Sequence, residues 1–159
     1  MTRRVFAIDP GDTTGWALLE APEDEPAGIP TVIEFGQIGG QPLSQAKFLW
    51  EKWWVSCDRP RADIGVVIED FQVRTMSVRL SPVQVSHAFL GFRAARAGVE
   101  SVVWQMPAMA KTTATDERMR AWGLWQPGKP HANDAIRHGV VALRRAARDP
   151  KIADQLDSK

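Results

Sequence analysis

The sequence predicts an α/β fold built on one mixed β-sheet with helices on its faces. Three β-rich segments follow one another before the first helical pattern, and after them helical and strand patterns alternate. The segments run from Val5 to Ile8, from Gly15 to Leu19 and from Thr31 to Ile38. Their succession predicts that the first three strands of the sheet are antiparallel.

The first two strands are joined by Pro10-Gly11-Asp12-Thr13-Thr14, a turn-rich connection typical of a hairpin. Between the second and third strands, the polar segment from Glu20 to Pro30 contains three prolines and four acids. We expect it to be a loop that packs against nothing.

The later elements follow from apolar spacing and from helix-start signals. Ser81-Pro82 is a favourable helix start, with the serine as cap and the proline in the first turn. The predicted elements are a helix from Pro42 to Cys57, a buried strand from Ile64 to Glu69, a helix from Ser81 to Gly98, a strand from Val99 to Trp104, a short helix opening at Thr115 and a last helix from His131 to Ala147.

Length and composition indicate a single globular domain over residues 1–159, with 44% hydrophobic and 25% charged residues and a net charge of +1. Acids crowd between Glu20 and Glu25, whereas arginines gather late in the chain. The single cysteine, Cys57, excludes an internal disulfide and a cysteine-based zinc site. With no signal peptide and no membrane-spanning stretch, we expect a cytoplasmic protein.

Three acids stand at positions that indicate a metal site. Asp9 and Glu69 each end a short apolar strand, and Asp134 opens the last helix. Two carboxylates on neighbouring strands repel each other and raise each other's pKa unless a cation holds them. The pattern therefore predicts a divalent-metal site.

Each of these acids also has a purely structural interpretation. Asp9 before Pro10-Gly11 could be a turn former. Asp70, beside Glu69, could be the ligand in its place, although alternation in a strand points the two side chains in opposite directions. Asp134 could only favour the first turn of the last helix, and His131 could only cap that helix. His138 falls on the same helical face as both, where a polar residue over the sheet is the favoured interpretation.

Several motifs in order resemble the RuvC family of Holliday junction resolvases, within the RNase H-like superfamily. They are Ile8-Asp9-Pro10-Gly11 followed by Thr14-Gly15, Ile68-Glu69 at a later strand end, Gln105-Met106-Pro107 leading to Lys111, and His131-x-x-Asp134-Ala135 on the last helix. The resemblance implies an RNase H-like fold and phosphodiester cleavage with two Mg²⁺ or Mn²⁺ ions held by Asp9, Glu69, His131 and Asp134. Many relatives have aspartate where this chain has His131, and a nitrogen ligand shifts preference toward Mn²⁺.

The resemblance also implies residues that contact DNA. Phe71 stands where the family places an aromatic residue at the junction centre, and Arg74 and Arg79 follow it. Lys111 matches a lysine of the catalytic region in relatives, and Arg118 and Arg120 could bind phosphates. Alternatively Phe71 packs beneath its loop, and the cations form a solvated face. Trp50, Trp53 and Trp54 on one helix favour a core or a dimer contact.

These observations predict a structure-selective endonuclease that resolves four-way junctions or other branched DNA during recombination and repair. The family and the two-fold symmetry of a junction imply a homodimer, with the helix from Ser81 to Ala97 as the candidate interface. The acidic segment and diverged loops are interpreted as those of a phage-encoded protein, acting in the bacterial host cytoplasm. Three alternatives remain. Two are another RNase H-like nuclease of branched or flapped DNA and a non-catalytic junction-binding protein. The third is a fold of the actin and sugar-kinase type, because Asp9-x-Gly11-x-Thr13-Thr14 resembles its first phosphate loop, although 159 residues are too few for its two domains.

Overall fold

The strands and helices of the computed structural model occur in the predicted order. The structure describes residues 2–23, 25, 28–57, 64–71, 80–97 and 101–157. The strands are β1 Thr2–Asp9, β2 Thr13–Pro22, β3 Thr31–Gly39, β4 Ile64–Glu69 and β5 Val103–Gln105. The helices are α1 Pro42–Ser56, α2 Ser81–Ala97, α3 Pro107–Thr113, α4 Asp116–Ala121, α5 Pro130–Ala146 and α6 Pro150–Leu156.

One five-stranded sheet has the strand order β3-β2-β1-β4-β5. The pairs β1–β2 and β2–β3 are antiparallel, whereas β1–β4 and β4–β5 are parallel. The mixed sheet with three antiparallel strands first is therefore confirmed. Because β1, β4 and β5 run in the same direction, their carboxyl ends meet at one edge, where open α/β sheets bind ligands. Asp9 and Glu69 are the last residues of β1 and β4.

Alternation along the strands divides the core into two layers. Phe6 and Ile8 of β1 pack with α1 and α2 on one face. Val5 and Ala7 pack with α5 on the other face, where α5 contributes a stripe of small and branched side chains. The spacing of two places Asp9 on the α5 face after Ala7, and Glu69 on the same face after Val67 of β4. The pleat thus aims both acids at α5.

The acidic loop begins later than the sequence predicts. Residues 20–22 continue β2, Ala21 is buried, and Glu20 accepts a hydrogen bond from Arg4 on β1 at 3.3 Å. The expectation that this whole segment packs against nothing is wrong for these residues, since pairing with β1 compensates for their polarity.

Three further differences concern helix starts and short elements. Ser81 lies inside the first turn of α2, and its hydroxyl donates to Asp12 at 2.6 Å rather than capping the helix. β5 starts only at Val103, with residues 98–100 outside the described part. The short helices α3 and α6 lack a long apolar stripe, and the sequence reading missed both. Within the described residues, no helix combines the length and the apolar character that crossing a bilayer requires.

Candidate active site

The three predicted acids come together at the carboxyl edge of the sheet. Asp9 is 9% exposed and shares a hydrogen bond with Glu69, and the charge of Asp134 on α5 acts on it as well. Glu69, rather than Asp70, is the acid that bonds to Asp9. Asp70 follows the end of β4, where its N–H donates to the carbonyl of Gln105 at 2.8 Å.

Burial, followed by the charges of Glu69 and Asp134 and the bond to Glu69, raises the pKa of Asp9 from 3.8 to about 8. Lys111 on α3 opposes this shift through its positive charge. A buried carboxyl surrounded by acids keeps its proton unless a cation replaces it. A cation bound at this position would favour the ionised form of Asp9.

His138 on α5 holds the second acid. Its Nε2 lies 2.7 Å from Oε2 of Glu69, and the imidazole is 1% exposed. In the part of the chain that the structure describes, its other nitrogen, Nδ1, is buried without a hydrogen-bond partner. His138 is thus a buried polar residue over the sheet, as the sequence predicts, and its hydrogen bond to Glu69 also places it next to the site.

Arg137 holds the third acid, and the sequence reading did not single it out for the site. Its buried guanidinium donates to Asp134 on the same helix and to Asp116 at the start of α4, and its Nε donates to the carbonyl of Ala114 at 2.9 Å. The sequence does indicate Arg137, because this arginine follows Asp134 by three residues and interrupts the apolar face of α5. A buried cation at that position requires acidic partners.

His131 lies beside Asp9 in the first turn of α5. Its Nδ1 is 3.6 Å from Oδ2 of Asp9, and its side chain is 43% exposed. The alternative that His131 only caps the helix is wrong, because α5 begins at Pro130 and Lys129 occupies the capping position without a side-chain bond. The imidazole is thus placed next to the acids and is accessible from solvent.

A divalent metal fits the donors of this site, although they are not gathered around one point. Asp9, Glu69 and Asp134 offer the oxygen ligands that Mg²⁺ and Mn²⁺ prefer, and His131 offers a nitrogen. Among the described residues, no three His, Cys, Asp or Glu side chains are close enough to bind one ion as they lie. Glu69 and Asp134 are paired instead with His138 and Arg137. The raised pKa of Asp9, which lies buried beside Glu69 and Asp134, is the observation that favours a cation.

Of the predicted DNA contacts, Phe71 and Lys111 lie near the acids of the site. Phe71 is half-buried and lines a cavity of about 390 Å³ beside Glu69, with Trp104 of β5 on another wall. Arg118 of α4 donates to the carbonyl of Thr113 at 2.8 Å, and Arg120 lies over the ring of Trp125. Arg74 and Arg79 lie outside the described residues.

The tryptophans of α1 are structural, as expected. Trp53 is fully buried and donates from Nε1 to the carbonyl of Ile64 at 3.3 Å. Trp50 packs against the same layer of the core, and Trp54, which is 40% exposed, lies tilted against Trp50 with its ring centroid 5.1 Å away.

The raised pKa of Asp9 predicts how stability depends on pH. Between pH 3.8 and about 8 the folded protein holds a proton at Asp9 that the unfolded chain has lost. The free energy of unfolding of the metal-free protein therefore falls as pH rises through this window. We expect Asp9→Asn to remove this slope and to raise the melting temperature most near pH 8. Scanning calorimetry at pH 5, 6.5 and 8 in EDTA checks this, with Asp154→Asn on exposed α6 as control. Equal shifts at all three pH values would contradict it.

Comparisons with known proteins support the fold. No protein-family model matches the chain, and no curated protein sequence is significantly similar to it. Among solved structures it is similar to Thermus thermophilus RuvC, with 23% identity and a TM-score of 0.62. It is also similar to T. thermophilus RuvC in complex with a Holliday junction substrate, with 21% identity and a TM-score of 0.61. In both cases the match covers 92% of this chain and 95% of the other. The chain therefore has a RuvC-like, RNase H-like fold.

Proposed function

We propose that this protein is a metal-dependent, structure-selective endonuclease that hydrolyses phosphodiester bonds in branched DNA, four-way junctions in particular. The observation that carries the proposal is the meeting of Asp9, Glu69 and Asp134 at one edge of a RuvC-like sheet, with Asp9 buried among like charges. The similarity to a RuvC structure that holds a Holliday junction supports the choice of substrate.

The residues of the site have separate tasks in this proposal. Asp9, Glu69, Asp134 and His131 would hold Mg²⁺ or Mn²⁺, two ions in all. When bound, such ions activate water and stabilise the leaving oxygen. His138 orients Glu69, and Arg137 orients Asp134 through bonds made on the protein side of the site. Lys111 places a positive charge near Asp9, where it can contact a phosphate of the cleaved strand.

The remaining parts of the proposal concern the DNA and the assembly. Phe71 stacks on unpaired bases at the branch, and Arg74, Arg79, Arg118 and Arg120 bind phosphates. A homodimer with α2 at its interface would place two sites opposite each other, matching the symmetry of a junction. A phage origin and action in the cytoplasm of a bacterial host remain predictions.

A cleavage assay tests this function directly. Purified protein is incubated with Mg²⁺ or Mn²⁺ on a four-way junction, a flap, a Y-fork and a linear duplex of matched sequence. Preferred cleavage of the junction supports the proposal, and preferred cleavage of the flap or fork favours another RNase H-like nuclease. Junction binding without cleavage in either metal would leave the non-catalytic alternative.

His131 should set the preference between metals. If its imidazole is a ligand, Mn²⁺ supports cleavage at least as well as Mg²⁺, because nitrogen ligands suit Mn²⁺ better than the harder Mg²⁺. His131→Asp should shift the preference toward Mg²⁺. Titrations of both metals, followed by cleavage rate and by calorimetric metal affinity, measure the ratio. A ratio that the substitution leaves unchanged would show that His131 does not bind the metal.

A further inference from the structure

A second cavity opens beside Asp134. It measures about 470 Å³ and lies between α3, α4 and α5. Trp125 forms an aromatic wall and Lys111 brings positive charge, whereas the guanidinium of Arg137 is paired with Asp134 and Asp116, which also line the cavity. This volume is within the range of small-ligand sites and is too small for a base-paired duplex.

The aromatic wall is held in place before any ligand arrives. Asn133 on α5 is 1% exposed, and its side-chain amide accepts from N–H of Gln126 at 2.8 Å and donates to the carbonyl of Gln126 at 2.9 Å. The N–H of Trp125 donates to the carbonyl of Met119 at 3.2 Å. These bonds tie the segment between α4 and α5 to the helix that carries Asp134. A site fixed in this way loses little conformational entropy on binding.

The chemistry of the walls suits one nucleotide. A half-buried indole offers a flat surface on which any base can stack. The guanidinium of Arg120 lies 4.4 Å from the ring centroid of Trp125 and 3.8 Å from Asp116, and its side chain is 55% exposed, so it can leave the ring for a phosphate when a base stacks there. Lys111 supplies a second charge between this cavity and Asp9. An aromatic ring with the charges of Lys111 and Arg120 beside it can recognise a base together with its phosphate.

We propose that this cavity binds one unpaired nucleotide of the cleaved strand, next to the phosphodiester bond that is cut, with its base stacked on Trp125. The inference rests on the proposed function and deepens it. A paired base cannot enter the cavity without leaving its stack, and extrusion costs least where pairing is already broken. Trp125 is then a specificity-determining residue that favours branch points over intact duplex.

The experiment combines substitutions at Trp125 with abasic sites in the DNA. Single-turnover cleavage is measured on junctions that carry one abasic site at each position flanking the cut. Trp125→Leu removes the stacking surface, and Trp125→Phe keeps it. Trp122→Leu is the matched control, because Trp122 lies on the same segment but stacks with Arg144, whose guanidinium is 4.3 Å from its ring centroid. Melting temperatures of all variants identify any loss of folding.

At one flanking position, we expect the abasic site to slow wild-type cleavage by about 5- to 150-fold, which is the factor that corresponds to the loss of one base–aromatic stacking interaction. Trp125→Leu should slow the intact junction by a similar factor and should add nothing on that abasic junction. Trp125→Phe should recover most of the rate. Independent, multiplying effects of the substitution and the abasic site would overturn the proposal, as would equal losses for Trp125→Leu and Trp122→Leu.

A binding measurement separates this inference from the proposed function. 2-Aminopurine at the same position should lose fluorescence when wild-type protein binds the junction in EDTA, and should lose much less with Trp125→Leu. If no branched DNA is cleaved in either metal, the proposed nuclease function fails, and quenching that depends on Trp125 still supports the nucleotide site. Cleavage of the junction with no such quenching overturns the nucleotide site alone.

Discussion

Asp9→Asn, Glu69→Gln and Asp134→Asn should each reduce cleavage of a four-way junction by about 100-fold or more. Substitution of groups that only support a metal ligand typically costs about 10- to 100-fold, and these three are proposed as ligands themselves. Junction affinity should change little, because phosphate contacts elsewhere supply most of it. The measurements are single-turnover cleavage with saturating enzyme and equilibrium binding in EDTA.

Asp154→Asn on α6 is the control for these three variants, since it removes one exposed acid far along the chain. Its cleavage rate should match wild type. Each site variant must also be folded at the assay temperature, and the melting temperature of Asp9→Asn should exceed that of wild type near pH 8 for the reason given above. A rate near wild type in any one of the three would remove that residue from the proposed metal site.

Among glycine-to-alanine substitutions in the described residues, Gly15→Ala should reduce the free energy of unfolding most. A Cβ at Gly15 would lie 1.8 Å from the carbonyl oxygen of His131 and 2.2 Å from its carbonyl carbon. Both atoms belong to the backbone of α5, so no side chain can move aside to make room. Extra atoms in a packed core commonly cost about 1–3 kcal/mol, and we expect a loss at or above the top of that range.

Gly91→Ala is the matched control for this substitution. Gly91 lies within α2, and a Cβ there meets no atom within 4 Å. Alanine should therefore stabilise the helix by about 0.5–1 kcal/mol. Urea denaturation of both variants measures the difference. If Gly15→Ala folds, it should still cleave poorly, because it displaces the turn that carries His131 and Asp134. Similar stability of the two variants would contradict the close contact between β2 and α5.

The fold was predictable because its signals are local. Apolar runs such as Val5 to Ile8 and Ile64 to Glu69 predict buried strands directly, and the alternation of helical and strand patterns later in the chain predicts the mixed sheet. The helices that the sequence analysis did not predict are short. α3 and α6 have seven residues each, too few to display a helical period.

The candidate site was predictable only in part, because its acids and His138 have a sequence pattern, whereas the partners of the other supporting residues do not. Asp9, Glu69 and Asp134 follow from positions at the ends of strands and the start of a helix. Arg137 and Asn133 act across loops, on Asp116 and Gln126, and nothing in the sequence says which residues will face them. Such contacts depend on how α4 packs against α5, which only the tertiary structure gives.

The separation of the site acids along the chain has a consequence during synthesis. β1, β4 and α5 each contribute one acid, so the earlier elements can pair on the ribosome while the site still lacks its last member. Until α5 packs against the sheet, Asp9 and Glu69 also lack His138, which fixes the carboxylate of Glu69. Under the proposed function, a nascent or C-terminally clipped chain would lack a complete site, and cleavage would arise only in molecules that have completed their tertiary fold. The order of assembly would then keep incomplete chains inactive.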